Sequence, residues 1–265
     1  MGLDDDTRVE PGPGGAYEGV IGETWWTPRG PLGGYVMAIV LRALTLAVND
    51  ADRQPRSFTM HFLRPPQAGP ITVEPRIERT GRTLTSASAR LEQDGRLLGL
   101  ALAAFSLPWE SPQLGGIPMP DVAPPDGREP APSLSGRDAP PFTGLLTMQH
   151  RFGDPPFTRS DDGLTGGWLG LREERPIDAL AVALLADAWF PAPWPRLSRL
   201  AQAPTIDLTV HFRAPLPRPD GLLLGRFTSR LTRDGFFDED GELWAEDGTL
   251  VAQSRQLGLL IDAQA

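Results

Sequence analysis

The chain of 265 residues contains no cysteine. That excludes a thiol nucleophile, a disulfide framework and every zinc or iron–sulfur site built on thiolates. Lysine is missing as well, since all 25 basic residues are arginine. Schiff-base chemistry, a pyridoxal lysine and a Walker A lysine go with it. Histidine is scarce: with only His61, His150 and His211, a three-histidine metal site would need all of them. Positive charge is in deficit, the 34 acids leaving a net charge of −9. This disfavours nucleic acid as a partner, because a polyanion rewards a basic face. No apolar run reaches the ~18 residues of a membrane span, and the start of the chain has neither the basic nor the apolar region of a signal peptide. The expectation is a cytoplasmic protein. The arginine-, alanine- and proline-rich composition hints at a GC-rich bacterial genome. Gly-x-Ser-x-Gly and His-Glu-x-x-His are both absent, which argues against a serine α/β-hydrolase and a zincin.

What is present is a core and a repeat. Hydrophobic residues make up 40% of the chain, enough to bury a sizeable interior. Ten prolines fall in residues 108–141. Proline removes the amide donor that helices and sheets need, so this stretch reads as a linker between a first domain, 1–107, and a second, 142–265. The two domains echo each other. At an offset of 150, Thr59, His61, Phe62 and Pro65 match Thr209, His211, Phe212 and Pro215. At an offset of 153, Asp94, Gly95 and Leu97 match Asp247, Gly248 and Leu250. Each half opens on an apolar stretch of helical composition, over 35–48 and over 177–190, the latter with Pro176 at its start. Alternating segments follow, 57–63 and 206–212. Asp94-Gly95 and Asp247-Gly248 read as hairpin turns, since both central residues tolerate positive φ. The expected class is α+β, an antiparallel sheet wrapped around one long helix, made twice, with the two sheets continuous.

This grammar and the wording of its segments resemble the double-hotdog acyl-CoA thioesterases of the thioesterase II, TesB-like type. The stretches that carry the resemblance in the first half are Gly30-Pro31-Leu32-Gly33-Gly34-Tyr35, residues 56–65 (RSFTMHFLRP), Arg79-Thr80-Gly81-Arg82-Thr83 and Glu92-Gln93-Asp94-Gly95. In the second half they are Ala186-Asp187-Ala188, residues 203–207 (APTID) and residues 254–258 (SRQLG). The resemblance implies two hotdog domains, no cofactor, acyl-CoA as the substrate and association into a homo-oligomer. It also implies a hydrolytic water held by Asp187, Thr205 and Gln256. The family's Thr-Ile-Asp-His ends in Leu208 here, and the segment between Asp187 and Thr205 is short and proline-rich.

The repeat bears on this site independently. Extending its offsets places Leu44 opposite Asp187, Pro55 opposite Thr205 and Ala103 opposite Gln256. All three polar residues face non-polar counterparts, as a duplicated fold with one surviving site would show. Asp187 continues the apolar helical stripe of Leu180 and Leu184, where a carboxylate needs partners. Gln256 shares a strand parity with Leu250, Ala252, Gly258 and Leu260. Thr205 falls by strict alternation with Asp207 and Thr209, unless it lies outside the regular strand.

Six further positions join Tyr35 as one set of candidate substrate contacts. Gly33 and Gly34 would admit substrate, or merely a close-packed helix. Their amides, at a helix start, are suited to a developing oxyanion. Trp25 and Trp26 would wall an acyl pocket or lid the core. Arg79 and Arg82 would meet CoA phosphates, in competition with 23 other arginines. Two other functions stay open. One is a non-catalytic acyl-thioester binder; the other is a hotdog hydratase or dehydratase, which would need His61 or His211 to point inward.

Overall fold

The computed structural model describes residues 2–128 and 140–262. Residues 129–139 of the expected linker lie outside the described residues. In the first half, strands β1 (Val9–Pro11) and β2 (Tyr17–Ile21) precede helix α1 (Gly33–Val48). Strands β3 (Gln54–Phe62), β4 (Gly69–Thr80), β5 (Leu84–Gln93) and β6 (Arg96–Ser106) follow it. The second half repeats the plan with β7 (Leu146–Gly153), β8 (Leu164–Leu171) and helix α2 (Ala179–Leu185). After α2 come β9 (Thr205–Phe212), β10 (Leu223–Thr228), β11 (Phe236–Ala245) and β12 (Leu250–Leu259).

These strands do not form two separate sheets. They run in the order β1-β2-β4-β5-β6-β3-β9-β12-β11-β10-β8-β7, one antiparallel sheet joined at its middle by β3 against β9. The two expected half-sheets are thus one continuous sheet. The reason is visible in the join: β3 and β9 would each be the last strand of a half-sheet, and pairing them removes two open edges at once. Asp207 sits opposite His61 and His211 opposite Ser57 in this ladder.

The second helix is also shorter than expected, seven residues rather than the stretch 177–190. It begins late because Ile177 is held in a bridge to Arg218 and Asp178 is the cap, accepting from the Ala181 amide at 2.9 Å. It ends early because the chain tightens at Asp187, whose amide turns to the Leu184 carbonyl, and then meets Pro191 and Pro193. Helix α1 is buried along most of its length, from Gly34 to Leu44 with Arg42 as the gap. The two helices pack on each other and against the sheet.

Of the two Asp-Gly turns, Asp94-Gly95 has both residues at positive φ, at 51° and 69°. At Asp247-Gly248 only the glycine does, at 83°, so the longer loop there is of a different type. A second turn of the expected kind sits at Asp234-Gly235, with φ of 54° and 80°.

The proline-rich segment has no helix or strand over 108–128, but it is not a free tether. Ile117, Met119 and Val122 pack on Trp168, Leu222, Leu224 and Trp244. The Trp244 indole donates to the Ile117 carbonyl at 3.1 Å, and the Trp168 indole to the Ala123 carbonyl at 2.8 Å. Gln149 pins its end, accepting from the Asp126 amide and donating to the Gly127 carbonyl. Among the described residues no helix is long and apolar enough to cross a membrane.

Candidate active site

The site begins with a local irregularity. The ladder between β9 and β12 slips at Thr205–Asp207, so strict alternation fails there. Leu208, Val210 and Phe212 face the core, and the bulge puts Thr205 on their side of the sheet, beside Gln256. The Thr205 hydroxyl donates to Gln256 Oε1 at 2.9 Å. The equivalent slip in the first half lies at Pro55–Ser57, as the repeat requires. Gln256 is 7% exposed and pairs across the ladder with Leu208 on one side and Glu239 on the other. Its Nε2 donates to Glu239 Oε1 at 2.6 Å.

Asp187 reaches the same region from the helices. Its Oδ2 accepts the Gly34 amide at 2.7 Å, where the first turn of α1 meets the end of α2. Leu32, at the N-cap position of α1, makes no side-chain cap, so a carboxylate from the other half closes that helix start. Two effects then oppose each other. Burial disfavours the charged form, while the Gly34 hydrogen bond favours it. Burial wins, and the Asp187 carboxyl is pushed up to about 7.

Space at this crossing requires glycine at position 34 and crowds position 33. A Cβ on Gly33 would lie 2.8 Å from Asp187 Oδ2. One on Gly34 would lie 2.5 Å from the Leu184 carbonyl oxygen and 3.0 Å from Asp187 Cβ. The expectation that their amides face a substrate oxyanion needs correcting at Gly34, whose amide is taken by Asp187.

Glu239 is the residue that sequence reasoning missed. It lies in the acidic run Asp238-Glu239-Asp240, which reads as a solvated edge. Yet the alternation of β11 places it with Phe237, Gly241 and Leu243, all buried, and Glu239 is 6% exposed. Its second oxygen, Oε2, accepts the Ala192 amide at 2.5 Å. Burial and the charge of Asp187 push its carboxyl up to about 7. Strand parity contained the signal: a carboxylate at an inward position between Phe237 and Leu243.

The repeat now extends to four positions. Ala103 is paired with Ala87 in the first half as Gln256 is paired with Glu239 in the second. Leu44, Ala87 and Ala103 are at most 5% exposed, and Pro55 is buried. Among the described residues the polar set therefore occurs once, in the second half, and takes the Gly34 amide from the first.

The remaining candidates fall elsewhere. Tyr35 is fully buried, its hydroxyl donating to the Asp6 carbonyl and accepting from the Gly22 amide. Trp25 stacks on it and donates to Asp6 at 2.9 Å. These two belong to the first core rather than to a substrate wall. Trp26 is half-buried and bonded to the Gly22 carbonyl. Arg79 and Arg82 are exposed on the β4–β5 hairpin. That hairpin lies beside Ser106 and Gln54, at the end of β3 opposite the one facing the start of β9. They do not join Thr205. The hairpin next to the site carries Arg230 and Arg233, both exposed. His61 and His211 are exposed on the outer face, where the hydratase reading needed an inward imidazole. The aromatic groups that follow Asp187 are Trp189 and Phe190, stacked with His150 and, for Trp189, Phe227.

Comparison with known proteins agrees with this architecture. The sequence profile of the acyl-CoA thioesterase N-terminal domain matches residues 23–106, and that of the acyl-CoA thioesterase C-terminal domain matches residues 121–260. An uncharacterized protein of Mycobacterium tuberculosis is 27% identical over 269 residues, covering 92% of this chain and 90% of the relative. A hot dog fold protein of unknown function from Alicyclobacillus acidocaldarius superposes with a TM-score of 0.87 at 28% identity, over 98% of both chains. The acyl-CoA thioesterase II TesB2 of Mycobacterium marinum shares the fold with a TM-score of 0.79 at 19% identity, over 100% of both chains. With its fold built twice from the same plan and its two halves matched in order, the chain belongs to the acyl-CoA thioesterase family.

Proposed function

We propose that the protein hydrolyses acyl-CoA thioesters to a free acid and CoA, with Asp187 as the general base. The observation that carries this reading is Asp187 itself: a carboxylate placed at a helix crossing, with one oxygen bonded to Gly34 and a proton affinity near neutrality. A base of that strength accepts a proton from water at neutral pH and can return it. The hydrogen bonds of the neighbours support the rest. Thr205 spends its proton on Gln256 Oε1, which leaves its oxygen as an acceptor. Gln256 spends one Nε2 hydrogen on Glu239, which leaves the other to donate. A water donating to Asp187 and to Thr205, and accepting from Gln256, keeps one lone pair for attack.

That water adds to the thioester carbonyl as Asp187 takes its proton. The tetrahedral oxyanion then collapses, the carbon–sulfur bond breaks, and the proton held by Asp187 passes to the departing thiolate. The reading includes Gly33 as a position where substrate approaches the carboxylate, a bacterial cytoplasm as the setting, and a homo-oligomer as the working form.

The test is thiol release from purified protein over short, medium, long and aromatic acyl-CoAs, with Asp187→Asn alongside. Loss of about 10²–10⁴-fold in turnover is expected for the variant, with the fold retained. Wild-type turnover in a folded Asp187→Asn protein would refute the assignment. Binding of acyl-CoA without turnover by the wild type would favour a non-catalytic thioester binder.

A further inference from the structure

We propose that Glu239 is a positioning residue of this site, holding the Gln256 amide in one orientation and pinning the segment that follows Asp187. Its kinetic consequence rests on the hydrolase reading; its geometry does not.

The side-chain amide of Gln256 has two orientations of nearly equal shape. Glu239 faces it directly across the β11–β12 ladder, with Oε1 at 2.6 Å from Nε2. An ionised carboxylate only accepts, so it selects the orientation with Nε2 toward itself and Oε1 toward Thr205. That orientation commits the Thr205 proton to Gln256. In the reversed orientation Gln256 would present oxygen to a carboxylate, and Thr205 would face a donor. Glu239 thus decides which of the two groups beside the reacting water donates and which accepts.

Its other oxygen works on the chain downstream of Asp187. Ala192 lies between Pro191 and Pro193, neither of which has an amide hydrogen, and its own amide donates to Glu239 Oε2 at 2.5 Å. One carboxylate therefore ties the Asp187 segment to the strand that carries Gln256.

The fold does not call for a carboxylate here. At the equivalent position in the first half the same strand pairing is made by Ala87 against Ala103, with Ala87 1% exposed. A buried carboxylate is costly even when bonded, and the charges that act on this one, Asp187 and Asp238, are both acidic. A group retained against that cost, where alanine suffices for packing, points to a role in the site.

The experiment compares wild type, Glu239→Gln and Glu239→Ala, each with and without Gln256→Ala. It reads kcat and KM for acyl-CoA hydrolysis and the side-chain amide resonances of Gln256 by 1H–15N correlation. Those resonances are assigned by their loss in Gln256→Ala. Glu239→Gln must present its oxygen to Ala192 and its amine to Gln256, or the reverse, so it reverses the Gln256 amide or breaks the Ala192 bond. The expected result is a fall in kcat of about 10–100-fold with KM within about twofold, shifted Gln256 resonances, and no further fall when Gln256 is already alanine. In Asp187→Asn, where residue 187 cannot titrate, the same resonances should move between pH 5 and 9 as Glu239 titrates, a reading that needs no Glu239 variant to fold. Unmoved resonances, or an equal loss of kcat with and without Gln256, would overturn the proposal. A wild type silent on every acyl-CoA would instead defeat the hydrolase reading, while the resonances still decide the role of Glu239.

Discussion

Asp187 couples the chemistry to stability. Its carboxyl is raised by burial, so the folded protein binds a proton more tightly there than the unfolded chain does. Between the ordinary carboxylate value near 4 and about 7, the folded state holds more protons than the unfolded one. Stability therefore falls as pH rises through that window, and stays lowered above it. The contribution is on the order of 4 kcal/mol. Asparagine keeps the acceptor for the Gly34 amide but never ionises. Asp187→Asn is accordingly expected to raise the thermal midpoint at pH 8 clearly more than at pH 5, measured by calorimetry. An equal rise at both pH values would contradict the assignment of the ionised form as the destabilising one. The same shift sets the rate: kcat/KM should fall on the acid side of about pH 7, as Asp187 takes up its proton.

The family resemblance pointed to Asp187, Thr205 and Gln256, and at Asp187 and Gln256 a polar residue within an apolar periodicity agreed with it. Sequence reading missed Glu239 because its neighbours Asp238 and Asp240 are acidic too, and a run of like charge reads as surface. Only parity separates them, and parity is trustworthy only once the strand register is known.

Helix α1 depends on what it touches at its first turn. Gly34 allows the end of α2 to come so close that an added Cβ would overlap the Leu184 carbonyl oxygen and Leu184 Cα. These are backbone atoms, which cannot rotate away. Gly34→Val is expected to cost about 1–3 kcal/mol in denaturant unfolding and to lower activity as well, by displacing Asp187. Retained stability together with retained turnover would show that the crossing is looser than it stands here. The extent of α1 was legible in its apolar composition, which runs over 35–48 against a helix of Gly33–Val48. The shortening of α2 was not, because it reflects Ile177 being recruited to pair with Arg218 far along the chain. Likewise Thr205 could be placed on either face from alternation alone; the bulge against β12 decided it.

The molecule is held together across its halves by β3 on β9 and by α1 on α2. The proline-rich stretch adds a strap rather than a tether, laid over Trp168 and Trp244 of the second half. Two polypeptides, residues 1–128 and 140–265, are thus expected to co-purify as a one-to-one complex when expressed together. Size-exclusion chromatography with mass analysis checks this, and separate elution of the two pieces would contradict it. One polar set per chain also follows from the arrangement. Leu44, Pro55, Ala87 and Ala103 fill the equivalent place in the first half and leave no carboxylate there.

Composition, periodicity and repeat offsets by themselves determined the chemistry that is excluded, the duplication and the helix-then-meander order, and the family resemblance supplied three of the four polar positions. These are local properties: spacing along the chain records which side of an element a residue belongs to. The ladder that joins the half-sheets, the true face of Thr205, the capture of the Gly34 amide by Asp187 and the inward carboxylate of Glu239 were decided only by the tertiary structure. Each depends on which segments meet, and contacts between residues some 150 positions apart leave no periodic trace in either partner's own sequence.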